Sequence, residues 1–189
     1  MTKYEQIKGE KDTLVVNLIG GPGTGKTTTM ALVFGTLKQL GIDAEMVTEF
    51  PKELVWEHRT ETMKDELYIF AKQAHRFFRV NGQVDVIVTD RPIILTVLYN
   101  NLYGDGSNAL DAVVKETFNK YNNMNFFLNR VKEYNPNGRT QTEDEADKIA
   151  EGLKDILDKE NYPYKSYDAD ESVVDKIVVD ILEKLGLSL

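Results

Sequence analysis

The sequence predicts an α/β protein, a doubly wound three-layer fold on a five-stranded parallel sheet. Short apolar runs rich in β-branched residues alternate with segments of helical spacing, the pattern of βαβ units. The first run stops at glycines and opens directly into a helix. A chain of 189 residues, 41% hydrophobic and 29% charged, is long enough for one domain with a substantial apolar core.

Leu14–Ile19 reads as a buried strand, short, apolar and ended by Gly20 and Gly21. Thr27–Leu40 has helical spacing, and Gly41 is placed to cap it. Ala44–Thr48 is the second strand. Thr62–Val80 carries Leu67, Phe70, Ala71, Ala74, Phe77 and Phe78 at helical spacing, with the Phe77-Phe78 pair expected in the core, and Asn81-Gly82 stops it. Val84–Val88 is the third strand and runs into Asp90-Arg91-Pro92. A short helix over Ile93–Tyr99, a loop at Asp105–Asn108 and a helix over Ala109–Tyr121 follow. Asn125–Leu128 is the fourth strand. Tyr134–Thr142 is polar and rich in chain breakers, the best lid in the sequence, within a region of about 130–142. Thr142 is the N-cap of a helix over Glu143–Lys159 with acids in its first turn. Tyr164–Tyr167 is the fifth strand, and Glu171–Leu185 is an amphipathic last helix.

Composition excludes several kinds of chemistry. Cysteine is absent, so there is no disulfide framework, thiolate metal site or Cys nucleophile. His58 and His75 are the only histidines. No apolar run reaches the roughly 18 residues of a membrane span, and the first residues, MTKYEQIKGEKD, lack the apolar core of a secretory signal. The expectation is a cytoplasmic protein. The formal charge of −8 argues against broad nucleic-acid binding, which depends on Lys and Arg neutralising phosphates.

Gly20-Gly21-Pro22-Gly23-Thr24-Gly25-Lys26-Thr27 satisfies G-x-x-x-x-G-K-[ST] between a strand and a helix. Glycines there let backbone N–H groups curl around phosphates, and the helix adds its positive end. The residues expected to cradle ATP are Gly21, Gly23, Thr24, Gly25, Lys26, Thr27 and Thr28. Lys26 would reach the β- and γ-phosphates, and the Thr27 hydroxyl would ligate Mg²⁺.

Asp90 ends the third strand, where a second Mg²⁺-organising acid is needed; the alternative is a strand-end turn cap. Arg91 could offset charge on a transferring phosphoryl group or clamp an acceptor. Glu49 ends the second strand and could orient or deprotonate an acceptor hydroxyl; the alternative is an acid at a helix start. Trp56 could stack on a base or fill a gap, and His58 reads as a surface residue. Gln73 could pair with a base or carboxamide, or lie on a solvated helix face. Arg139 in the lid segment and Arg130 after the fourth strand could close over the phosphates.

The order of these residues resembles small P-loop kinases of nucleosides and nucleotides. The Gly20–Thr27 loop, Glu49-Phe50-Pro51 with Trp56, Asp90-Arg91-Pro92 and Gly138-Arg139 fall as in deoxynucleoside and thymidylate kinases. Phe50 separates Glu49 from Pro51, a departure from the Glu-Pro element of deoxynucleoside kinases. The spacing of Gln73, Asp90-Arg91 and Tyr99 is similar to that in the ATPase-type domain of ribosylnicotinamide kinases, including compact phage proteins of that type, which would place the chain in a host cytoplasm. The resemblance implies a P-loop NTPase fold with an Arg-bearing lid, and transfer of the γ-phosphate of ATP to a nucleoside or nucleoside monophosphate. It implies Lys26, Glu49, Arg91 and Arg139 as catalytic, Glu49, Trp56, Gln73 and Arg91 as substrate-binding, and Thr27 and Asp90 as Mg²⁺ ligands. It places adenine near Tyr167–Asp170. Kinases of this kind are often homodimers.

Two other readings stay open. A kinase of a hydroxyl within DNA would need a basic groove, for which Arg59, Arg76 and Arg79 are available. A switch or assembly ATPase would need no small acceptor; the chain has no guanine-specifying Asn-Lys-x-Asp, which disfavours a GTPase.

Overall fold

Strand β1 (Leu14–Ile19) is buried at every position, as a strand must be when helices cover both faces of its sheet. A computed structural model describes residues 11–135 and 141–187. Its sheet has the order β2-β3-β1-β4-β5 and contains β2 (Ala44–Val47), β3 (Val86–Thr89), β4 (Asn122–Asn129) and β5 (Tyr164–Asp168). All four pairings are parallel; Leu14 lies opposite Val86 on one side and Asn122 on the other.

The helices are α1 (Lys26–Gln39), α2 (Pro51–Trp56), α3 (Glu66–Phe78), α4 (Leu95–Tyr103), α5 (Asn108–Phe118), α6 (Glu143–Lys159) and α7 (Val173–Lys184). The period of two along β1 sorts them into layers. Leu14, Val16 and Leu18 face Met30, Val33 and Leu37 of α1 and Ile177 and Ile181 of α7. Val15 and Ile19 face Phe70 and Phe77 of α3, Val114 of α5 and Ile149 and Leu153 of α6. The expected three-layer architecture is present.

The chain builds outward from β1 to β2, returns to β3, then crosses to β4 on the other side of β1. A crevice opens where that direction reverses, beyond the carboxyl ends of the central strands. The loop after β1 and the residues after β3 therefore meet at one end of the sheet.

Several boundaries differ from expectation. Residues Thr62–Lys64 form a separate 3₁₀ turn, and α3 starts at Glu66, because the Asp65 side chain accepts from Tyr68 N and caps it there. The short helix α2 was not foreseen; Pro51 at its first position favours it. Phe77 is buried, but Phe78, expected beside it in the core, is 75% exposed because the next side chain along a helix points about 100° away. At α6 the expected Thr142 cap is present as a full capping box with Glu145.

Candidate active site

The loop from Gly20 to Gly25 turns with positive φ at Gly20 (156°), Gly23 (83°) and Gly25 (87°). Side chains tolerate such backbone poorly, which is why glycine recurs there. The Thr24 hydroxyl donates to Gly21 O at 3.0 Å and braces the loop from inside. Lys26 Nζ donates to Gly20 O and Gly21 O, both at 2.8 Å, so the ammonium lies folded along the loop. Thr27 and Thr28 are exposed in the first turn of α1, with its N-terminal N–H groups around them.

Across the crevice, Asp90 follows β3 and is 3% exposed. The Thr27 hydroxyl donates to its Oδ2 at 2.6 Å. Its Oδ1 is buried with no hydrogen-bond partner among the described residues. An orphaned carboxylate oxygen beside a hydroxyl suits a hard cation with oxygen ligands. No group of three or more His, Cys, Asp or Glu that could hold a metal occurs among the described residues, so phosphate and water oxygens would complete the shell.

Arg91 is 5% exposed, and its guanidinium lies 4.2 Å over the Tyr99 ring. Its Nη2 stands 3.9 Å from Glu66 Oε2. Burial pushes the Glu66 carboxyl up to about 6, with Arg91 opposing the rise and Asp65 adding to it. Burial also raises the Tyr99 hydroxyl, which feels the charges of Arg91 and Glu49. Glu49 is half-buried on the loop after β2, close enough to belong to this group. Glu66 escaped the sequence reading because an acid beginning a helix reads as a partner for the helix dipole.

Gln73, expected to contact a base or to lie on a solvated helix face, is off the solvated face and engaged with the main chain. It is 1% exposed, accepts from Phe50 N at 3.0 Å, and donates to Arg91 O at 3.1 Å and Thr48 O at 3.3 Å. Its amide is saturated by main chain and ties the ends of β2 and β3 to α3. Trp56, at the end of α2, is 68% exposed and packs into no core cluster. His58 has φ of 55° just beyond α2 and is exposed.

Arg130, after β4, pairs with Asp147 at 2.7 Å and Glu143 at 3.0 Å, both on α6. It borders a cavity of about 190 Å³ lined also by Gly21, Pro22, Asn129 and Lys154. Asn129 donates to Asp168 at 3.0 Å, which brings the Tyr167–Asp170 region to the same edge. Tyr134 OH donates to Gln141 O at 2.6 Å. Arg139 lies outside the described residues. Of the arginines available for a nucleic-acid groove, Arg76 pairs with Glu53 and Arg59 with Glu57, which lowers the positive charge of that face.

A glycine-rich loop between a central strand and a helix, with a buried acid at the end of the neighbouring strand, defines a P-loop nucleotide-binding α/β protein. A family described as an AAA domain matches residues 15–172, and the chain belongs to it. The fold is similar to that of the NadR protein solved in complex with NR, with TM-score 0.70 and 18% identity over 94% of this chain and 53% of that one. It is also similar to the NadR protein in complex with NAD and AMP-PNP, with TM-score 0.65 and 16% identity over 94% of this chain and 51% of that one. The chain thus spans about half the length of these two structures. No curated protein matches it. Among the described residues no helix is long and apolar enough to cross a membrane.

Proposed function

We propose that the chain transfers the γ-phosphoryl group of ATP to a nucleoside or nucleoside monophosphate. The observation that carries this reading is the adjacency of two groups. Thr27 and Asp90, hydrogen-bonded at 2.6 Å, form the nucleotide side, and the next residue, Arg91, is a buried cation facing Glu66, Tyr99 and Glu49. An enzyme that only hydrolyses ATP has no need of a second buried charged cluster beside its phosphates. The likeness to a fold solved with NR and with AMP-PNP supports the same reading.

The residues act mainly by positioning and charge, which is where most phosphoryl-transfer catalysis originates. The loop N–H groups and Lys26 hold the β- and γ-phosphates. Thr27 and Asp90 would hold Mg²⁺, which supplies charge neutralisation on the phosphate oxygens. Glu49 orients the acceptor hydroxyl and takes its proton as the new oxygen–phosphorus bond forms and the β–γ bridging bond breaks. Arg91 offsets charge at the reacting end of the acceptor, and Arg139 is assigned to the phosphoryl group as the resemblance implies. Trp56 borders the acceptor.

The test is incubation with γ-labelled ATP, Mg²⁺ and pooled nucleosides, nucleoside monophosphates and plain or hydroxymethylated DNA, beside Lys26→Ala. Label on a small acceptor, lost in the variant, is expected. Label released only as phosphate overturns the proposal and favours an ATPase, the reading supported by the AAA family match. Label on DNA moves the acceptor to the polymer.

A further inference from the structure

The β2–β3 ladder ends at the pair Val47 and Thr89. Glu49 and Arg91, assigned to the acceptor side, each stand two residues past that pair, where strand register no longer sets their spacing. Two side chains carry the connection onward. The Thr89 hydroxyl donates to Val47 O at 2.7 Å and accepts from Arg91 N at 3.1 Å, so it holds the peptide between Asp90 and Arg91. The Gln73 amide reaches in from α3, accepts from Phe50 N at 3.0 Å, and donates to Thr48 O at 3.3 Å and Arg91 O at 3.1 Å. Its bonds fall on the residues to either side of Glu49 and on Arg91 itself.

Thr48 O also takes the Arg76 guanidinium at 3.1 Å, so the β2 end is held from two positions on α3. Gln73 itself is 1% exposed, on the face of α3 that buries Ile69, Phe70 and Phe77. An amide in such an apolar row is costly unless its bonds are made. Here the oxygen meets an N–H, and both N–H groups are spent on main-chain carbonyls. Neither a hydrocarbon nor a carboxylate can accept and donate in that pattern. Thr89 thus steadies the acid of the nucleotide side, and Gln73 joins the two groups of the acceptor side.

We propose that Gln73 is a positioning residue: its amide sets the separation of Glu49 from Arg91 and so governs the rate of phosphoryl transfer without touching the acceptor. The proposal rests on the kinase reading for the roles of Glu49 and Arg91. It departs from the base contact that the resemblance implies for Gln73. Rate is sensitive to such a tie, because a displacement of about 1 Å at a reacting group can cost about 10²-fold. Acceptor affinity, set by the groups that contact the acceptor, should move far less.

Steady-state kinetics of the full chain tests it, with γ-labelled ATP and nucleosides and nucleoside monophosphates assayed singly. Gln73→Met keeps the length of the side chain and removes the amide. Gln73→Asn keeps an amide and withdraws it by one methylene, a milder change should the first variant fail to fold. Phe118→Leu is the control for lost packing, since Phe118 is buried where α5 ends before β4, at the end of the sheet away from the crevice. All rates are read below the melting temperature of each variant. The expected result is a tenfold or greater fall in kcat in the Gln73 variants, with the acceptor KM within threefold, and kcat retained in Phe118→Leu. A raised acceptor KM with unchanged kcat makes Gln73 an acceptor contact and overturns the proposal. So does an equal loss of kcat in Phe118→Leu, which would make the effect one of general packing. Transfer by the unaltered chain with kcat undiminished in the variants overturns the proposal alone. Absence of transfer by the unaltered chain fails the kinase reading and the proposal with it.

Discussion

The Thr27 hydroxyl donates to Asp90 Oδ2 at 2.6 Å, joining residues 63 apart in sequence across the crevice between β1 and β3. This bond fixes the distance between the nucleotide loop and the acid that faces it. The second Asp90 oxygen is buried and has no hydrogen-bond partner among the described residues.

Asp90→Asn keeps the size of the side chain and removes its charge. Thr27→Ala removes the hydroxyl. Each should lower Mg²⁺-dependent turnover of ATP by about 10²–10³-fold, the range for losing one preorganised electrostatic group. Turnover within threefold of the unaltered chain in both variants would remove the pair from the site.

Gly21 supports α6 directly. A Cβ there would stand 2.5 Å from the Ala146 carbonyl oxygen and 3.1 Å from the Ala150 Cβ. Gly21→Ala should destabilise the fold by about 1–3 kcal/mol, because a backbone carbonyl cannot swing away. Gly35→Ala, in the interior of α1 with nothing within 4 Å of the new Cβ, should stabilise it by about 0.5–1 kcal/mol. Denaturant unfolding of both variants reads the difference, and equal midpoints would contradict the packing described.

Gln73→Leu preserves volume and leaves Phe50 N and Arg91 O without their side-chain partner, while Thr48 O keeps the Arg76 guanidinium at 3.1 Å. The expected loss is about 2–4 kcal/mol from buried unpaired groups. A residue that only contacted substrate would alter KM and leave the unfolding midpoint in place.

The Glu66 carboxyl, raised to about 6 from an ordinary 4.5, is protonated more readily in the fold than in the unfolded chain. Its ionisation therefore weakens the fold as pH rises from 4.5 through 6, and the penalty is complete above that window. The difference corresponds to about 2 kcal/mol. Measured against Glu66→Gln, the natural chain should gain up to that amount in relative stability between pH 7.5 and pH 4.5. A stability gap that does not change with pH would sink the assignment.

Trp56 is the only tryptophan, and it is 68% exposed. Its emission should be that of a solvated indole and should shift to shorter wavelength when an acceptor nucleoside is added with a non-hydrolysable ATP analogue. An emission spectrum insensitive to both ligands would remove Trp56 from the acceptor site.

Local chemistry carried much of this molecule into view. The β-branched run Leu14–Ile19, the glycines that follow it and the Lys26-Thr27 pair dictate a strand, a phosphate-binding turn and a helix, each within a few residues of sequence. The span Glu143–Lys159 matched to the residue because its capping box and amphipathic period are both local signals. Other features depend on partners far along the chain. Nothing near Gln73 announces that its amide will be saturated by the main chain of residues 48, 50 and 91. Phe77 and Phe78 are chemically identical, and only the packing of α3 against the sheet buries one and exposes the other. Glu66 follows Asp65 at a helix start, where acids are ordinary; tertiary packing desolvates it and sets it beside Arg91 and a cavity. Periodicity, turn geometry and capping act over a few residues, so sequence reveals them. Burial and charge pairing are set by which surfaces meet, so the order β2-β3-β1-β4-β5 had to be known before the acceptor side of the site could be drawn.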